Sequence, residues 1–155
     1  IAKALSILSK DAGSAGMVGG QVLDISSEER ELSEQEVLDI QSRKTGALIH
    51  AACCLGVIAG GGSDVQLNAA ASFANCLGLA FQIRDDMLDV IGNQETLGKA
   101  VGTDGNKNTF VRLYGLEECD RMVKEHTEKA MSALCQFEDP SFMIYIAKML
   151  VNRDK

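Results

Sequence analysis

The sequence predicts an all-α protein, and three observations carry that prediction. No stretch of useful length alternates apolar and polar residues as a half-buried strand would. Helix-start signatures recur: Ser33 with Glu36, Ser63 with Gln66, and Asp139 before Pro140. The single proline, Pro140, sits where a helix would open rather than inside one.

In chain order, Ile1 to about Ile25 is apolar and helical in composition, with glycines at 13, 16, 19 and 20. Ser33 and Glu36 form a capping-box pattern that opens a long helix, which the run Gly60-Gly61-Gly62 ends. Ser63 and Gln66 open a second long helix that reaches about Ile91. A polar, glycine-rich loop follows, "GNQETLGKAVGTDGNKN", from Gly92 to Asn108. A short helix is expected near Thr109, another from about Leu116 to Cys135, and a last one with Asp139 as its N-cap and Pro140 at its first position.

Composition narrows the function classes. The chain has 155 residues, enough for one helical domain with a real core, taken here as residues 1–155. A formal charge of −7 argues against a nucleic-acid partner, whose footprint is basic. The longest apolar run, Ala47 to Ala59, is too short to span a bilayer, and no signal peptide is visible. Cys53, Cys54, Cys76, Cys119 and Cys135 form no C-x-x-C pair, so they are expected as small apolar residues in a reducing, cytoplasmic compartment rather than as zinc ligands. His50 and His126 are far apart in sequence and neither is expected to be catalytic. The chain begins at Ile1 rather than a methionine, so it is expected to be a fragment or a processed chain.

One segment conflicts with its surroundings. "GLAFQIRDDMLDVIG", Gly78 to Gly92, is largely apolar yet holds Asp85, Asp86 and Asp89. On a helix, Gln82, Asp85, Asp86 and Asp89 fall at i, i+3, i+4 and i+7, on one face, which Asn75 and Gly78 extend. A wet helix face is one explanation. Against it, the stripe carries no lysine or arginine, and like charges near 6 Å repel by about 2–3 kcal/mol at an effective dielectric of about 20 before solvent screening. Clustered carboxylates among apolar residues suit a hard cation such as Mg²⁺, which keeps waters and shares a substrate phosphate. The stripe alone leaves both explanations open.

The stripe does not stand alone. "FQ" followed by "DDMLD" resembles the second aspartate-rich motif of the trans-isoprenyl diphosphate synthases, the polyprenyl synthetase family. "GMVGGQVLDI" (Gly16 to Ile25), "KTGAL" (Lys44 to Leu48), "TLGKAVGTD" (Thr96 to Asp104) and "KNTF" (Lys107 to Phe110) resemble further elements of that family in the same order. The ending "NRDK" resembles the basic C-terminus of bacterial farnesyl diphosphate synthases.

The resemblance implies an antiparallel helix bundle of the terpenoid-synthase type, here its C-terminal half, within a larger catalytic domain. It implies a Mg²⁺-dependent prenyltransferase that condenses an allylic diphosphate with isopentenyl diphosphate into a short-chain product such as farnesyl diphosphate. By the same resemblance Asp85 and Asp89 would hold Mg²⁺, Asp86 would support them as a ligand or through water, and Asp104 would lie near the metals. Lys44, Lys99 and Lys107 would contact the diphosphate, Thr45 and Gln82 would face the reacting tail and its carbocation, and Gln21 and Asp24 would line the pocket. Arg84, next to the aspartates but off their face, is expected to be structural.

The departures from the family pattern are as informative. A second D-D-x-x-D and the upstream arginines for isopentenyl diphosphate are missing, and Val111 stands where family members often have proline. Product length is set near the missing motif and is unreadable here. The chain alone is therefore expected to be inactive, and its uncovered helix faces to make it a homo-oligomer. The alternative is a non-catalytic helical subunit that pairs with a complete synthase.

Overall fold

The computed structural model describes residues 1–97 and 108–153, with backbone alone for 93–97. Among these residues there are eight α-helices and no strand. They are α1 (Ala2–Ala12), α2 (Met17–Ser26), α3 (Glu34–Gln41), α4 (Ala47–Ala59), α5 (Asp64–Leu97), α6 (Phe110–Tyr114), α7 (Leu116–Ala133) and α8 (Ser141–Val151). A π-helical turn, Ser42–Gly46, joins α3 to α4, and a 3₁₀ turn, Leu134–Gln136, follows α7.

The expected caps form as hydrogen bonds. The Ser33 N–H donates to Glu36 Oε2 at 2.9 Å, and the Glu36 N–H donates back to Ser33 Oγ at 3.4 Å. Ser63 and Gln66 repeat the exchange at the start of α5, at 2.9 and 3.3 Å. Arg30 beside Glu36, together with the cap bonds, pulls that carboxyl down to about 2. Gly61, at φ 71°, takes the left-handed conformation that turns the chain from α4 toward α5. Asp139 accepts from the Ser141 N–H at 3.0 Å, so the last helix opens one residue later than expected, with Pro140 outside it.

Three boundaries differ from the sequence expectation. The first apolar segment splits into α1 and α2, because the chain turns so tightly that a Cβ on Gly16 would lie 2.0 Å from the Asp11 carbonyl oxygen. The helix opened by Ser33 does not run straight to Gly60 but widens into the π turn. α5 continues past Ile91 to Leu97, so the loop expected from Gly92 starts later; its remainder lies outside the described residues.

At 34 residues, about 50 Å long, α5 is the central element. It packs against α7 on one side and against α4 and the π turn on another. Its small residues Ala69, Ala70, Ala74 and Ala80 are buried and let neighbours come close. Phe73, Leu77, Ile83 and Met87 of α5 meet Val37, Phe110, Cys119, Val123, Leu134 and Val151 in one contiguous core. Phe73 and Phe110 are almost fully enclosed, and burying each contributes about 2–3 kcal/mol. α1 and α2 lie outside this core and keep Leu5, Leu8, Val18, Val22 and Ile25 exposed.

Candidate functional site

The site forms where α2, the π turn and α5 converge. A π turn inserts an extra residue into the helical register and changes the direction in which its side chains leave the axis. Two glycines permit the approach. A Cβ on Gly20 would lie 2.4 Å from the Lys44 backbone nitrogen, and one on Gly78 would lie 3.2 Å from the Gly46 Cα. Glycine at both positions lets α2 and α5 close on the turn that carries Lys44 and Thr45.

Lys44 Nζ pairs with Asp24 Oδ2 at 2.6 Å, with both side chains about one-third exposed. Thr45 Oγ1 donates to Gln82 Oε1 at 3.0 Å, and Gln82 Nε2 donates to Asp86 Oδ1 at 3.1 Å. A polar chain therefore runs from the π turn into the aspartate stripe of α5. Gln21, half-buried on α2, lies beside Gly20 in sequence. These six residues were singled out by sequence, and the tertiary fold brings them to one region.

The three aspartates of α5 have different surroundings. Asp86 is buried; its Oδ2 accepts the Phe110 backbone N–H at 2.8 Å and its Oδ1 accepts from Gln82. Burial raises its pKa, opposed by those two hydrogen bonds. Each of its oxygens accepts one hydrogen bond within the protein, and it holds the start of α6. Asp85 is partly exposed and ion-paired with Arg153. Asp89 is exposed.

This inventory fits one kind of metal and not another. Among the described residues no group of three or more His, Cys, Asp or Glu side chains is placed to cage a metal ion. Asp85 and Asp89 offer hard oxygens from one helix face, one turn apart. That donor set suits a cation needing one or two carboxylates, with substrate and water completing its shell. Lys99, Asp104 and Lys107 lie outside the described residues.

The "KNTF" segment resolves into separate tasks. Asn108 accepts from the Leu32 N–H at 2.9 Å and donates to the Arg30 carbonyl at 3.0 Å, tying α6 to the loop after α2. Thr109 caps α6 by accepting from the Arg112 N–H at 3.3 Å, and Phe110 fills the core. Arg84 has the structural placement its position suggests: it donates to the Arg153 carbonyl at 3.1 Å.

Sequence reasoning missed two groupings. Arg153 lies over the Phe81 ring, 4.2 Å from its centroid, while pairing with Asp85. Buried Asp11 lies 2.6 Å from His50 Nδ1, and His50 Nε2 lies 3.5 Å from Cys54 Sγ. Cys54, at i+4 from His50, was the available signal; Asp11 was not, being 39 residues away. Burial raises the Cys54 thiol pKa, and the neighbouring Asp11 charge raises it further; the contacts through His50 join α1 to α4. The remaining cysteines vary: Cys119 is buried as expected, while Cys135 is exposed. No helix among the described residues is long and apolar enough to cross a membrane.

Known proteins resemble this chain in sequence and in fold. The polyprenyl synthetase family matches residues 2–141. The large subunit 2 of a heterodimeric geranylgeranyl pyrophosphate synthase from Arabidopsis thaliana is 38% identical over 155 residues, covering 96% of this chain and 41% of that protein. The apo structure of an FPP/GFPP synthase from Zymomonas mobilis superposes with a TM-score of 0.83 at 30% identity, covering 96% of this chain and 50% of that one. A geranyltransferase from Helicobacter pylori, complexed with magnesium and isoprenyl diphosphate, gives a TM-score of 0.74 at 29% identity over 97% of this chain and 50% of its own. The chain spans about half the length of the relatives it matches.

Proposed function

Because the chain belongs to the polyprenyl synthetase family, we propose that it supplies the diphosphate-activating half of a Mg²⁺-dependent prenyltransferase. The reaction is condensation of an allylic diphosphate with isopentenyl diphosphate to a short-chain prenyl diphosphate such as farnesyl diphosphate. One observation carries this reading: α5 sets its aspartate stripe against the π turn, joined through the Thr45–Gln82 bond.

The allylic C–O bond breaks to leave a carbocation and diphosphate, the double bond of isopentenyl diphosphate attacks the cation, and a proton is lost. Diphosphate leaves readily only when its charge is neutralised as it develops. A magnesium ion held by Asp85 and Asp89 would supply that neutralisation as a Lewis acid. Lys44 would add an ammonium charge, presented from the π turn and kept in place by Asp24. Lys99 and Lys107 would do the same, and Asp104 would serve the metal, on the strength of their motif positions. Thr45 and Gln82 orient their dipoles through their shared hydrogen bond and would face the cation. Asp86 fixes Gln82 and the α6 start from behind. In the whole protein, apolar helix walls around the site would exclude water that would quench the cation.

Association with further protein fits the exposed apolar residues of α1 and α2, and we infer a homo-oligomer on that ground. Residues 1–155 alone, with one aspartate-rich motif, should not catalyse condensation. The test is a radiolabelled assay with isopentenyl and geranyl diphosphates, with and without Mg²⁺. It is run on the whole protein containing this sequence and on residues 1–155. Prenyl transfer by the whole protein that requires Mg²⁺ is expected. A folded whole protein with no transfer would leave the non-catalytic subunit as the better reading, and light scattering reports the association.

A further inference from the structure

We propose that Arg153 is an internal counter-ion of Asp85, which an incoming divalent cation must displace. The inference rests on the reading of Asp85 as a metal ligand.

Three contacts place the guanidinium. Its Nη2 pairs with Asp85 Oδ1, its plane lies over Phe81 with Cζ 4.2 Å from the ring centroid, and Arg84 Nη2 holds the Arg153 carbonyl at 3.1 Å. Phe81 and Asp85 are four residues apart on α5, so ring and carboxylate form a two-part receptor on one helix face. Val151, two residues earlier at the end of α8, is 5% exposed, which anchors the chain just before the arginine. The placement is therefore built from both sides.

The same contacts conflict with metal loading. A positive charge against Asp85 Oδ1 neutralises the carboxylate the metal would use, and a second cation at that oxygen would be repelled. Asp89, one turn on, has no ion-pair partner among the described residues, so Asp85 alone is occluded. The arrangement is not fully satisfied. Arg153 Nε is buried without a hydrogen-bond partner among the described residues, a cost that release of the arginine relieves. Arg153 thus neutralises Asp85 within the stripe and sets how tightly that carboxylate takes a divalent ion.

Titration calorimetry with Mn²⁺ on the full chain tests this, with melting curves to confirm folding. Arg153→Gln should tighten Mn²⁺ binding about threefold to tenfold, the scale of a part-exposed ion pair plus a stacked guanidinium. Phe81→Leu removes the stacking without changing charge and should tighten binding about twofold. Arg153→Lys keeps the charge and should stay near the original affinity. A purely structural staple would lower the melting temperature in Arg153→Gln and leave Mn²⁺ affinity unchanged, which would overturn the inference while the metal reading stands. A gain in Arg153→Gln with none in Phe81→Leu would mean that only the overall field changed, and would also overturn it. Absence of Mn²⁺ binding in every form would remove the metal reading and this inference together.

Discussion

Helices α5 and α7 pack against each other, and both carry many charges, yet they neutralise them by opposite means. On α7 every ion pair among the described residues is local. Arg121 pairs with Glu118 and with Glu125, Lys124 with Asp120, and Lys129 with Glu125, all at i,i+3 or i,i+4. On α5 the aspartates have no lysine or arginine one turn away in either direction. Asp85 draws its counter-charge from Arg153, 68 residues on, and Asp86 takes a backbone N–H from Phe110, 24 residues on. A helix that balances its own charges is a solvated face. A helix that leaves carboxylates unbalanced must be supplied by the tertiary fold or by a ligand.

The most severe test of that contrast is Asp85→Asn in the whole protein. Loss of one group that stabilises developing charge should lower turnover at least ~10²-fold, while Asp120→Asn on α7 should leave it unchanged. Steady-state kinetics at saturating Mg²⁺ decide it, and near-normal turnover in Asp85→Asn would remove the metal role.

Stability should separate the helices as well. Asp86→Ala leaves the buried Phe110 N–H without its acceptor and should cost about 1–3 kcal/mol in urea unfolding. Asp86→Asn keeps an acceptor and should cost less. Gly20→Ala should lose a comparable amount, about 1–3 kcal/mol, because the added methyl meets the Lys44 backbone. That variant should also reduce turnover, since the π turn must move. If it melts like the original protein, the close packing of α2 on that turn is not needed.

On α7, Arg121→Ala should change the urea-unfolding midpoint little, and any loss should shrink in high salt, because all three side chains are solvent-exposed. A large, salt-independent loss would show that α7 is not a self-balanced surface. The smallest effect concerns the cap of α3, where Glu36 is also neutralised locally, by Arg30. Its carboxyl is lowered from 4.5 to about 2, so its contribution is fully present above pH 4.5 and is lost as pH falls through about 2. A carbon-detected NMR titration of Glu36 should find a midpoint near 2, and a midpoint near 4.5 would mean the cap is open in solution.

The sequence alone determined what depends on neighbours within one or two turns. The Ser33–Glu36 and Ser63–Gln66 exchanges, the glycine stop at Gly61 and the single polar face of α5 all follow from spacings of three and four residues, which a helix brings together without outside help. Motif order carried the family assignment for the same reason, since each element is short and contiguous. Tertiary structure decided the rest. Nothing local marks Ser42–Gly46 as a π turn; it forms where α2 and α5 press on it through Gly20 and Gly78. Spacing treats Asp85, Asp86 and Asp89 as equivalent. Only the packed chain buries Asp86 under Phe110, pairs Asp85 with Arg153 and leaves Asp89 to solvent. A carboxylate's environment is set by what lies within a few ångströms in space, and here those groups arrive from 24 and 68 residues away.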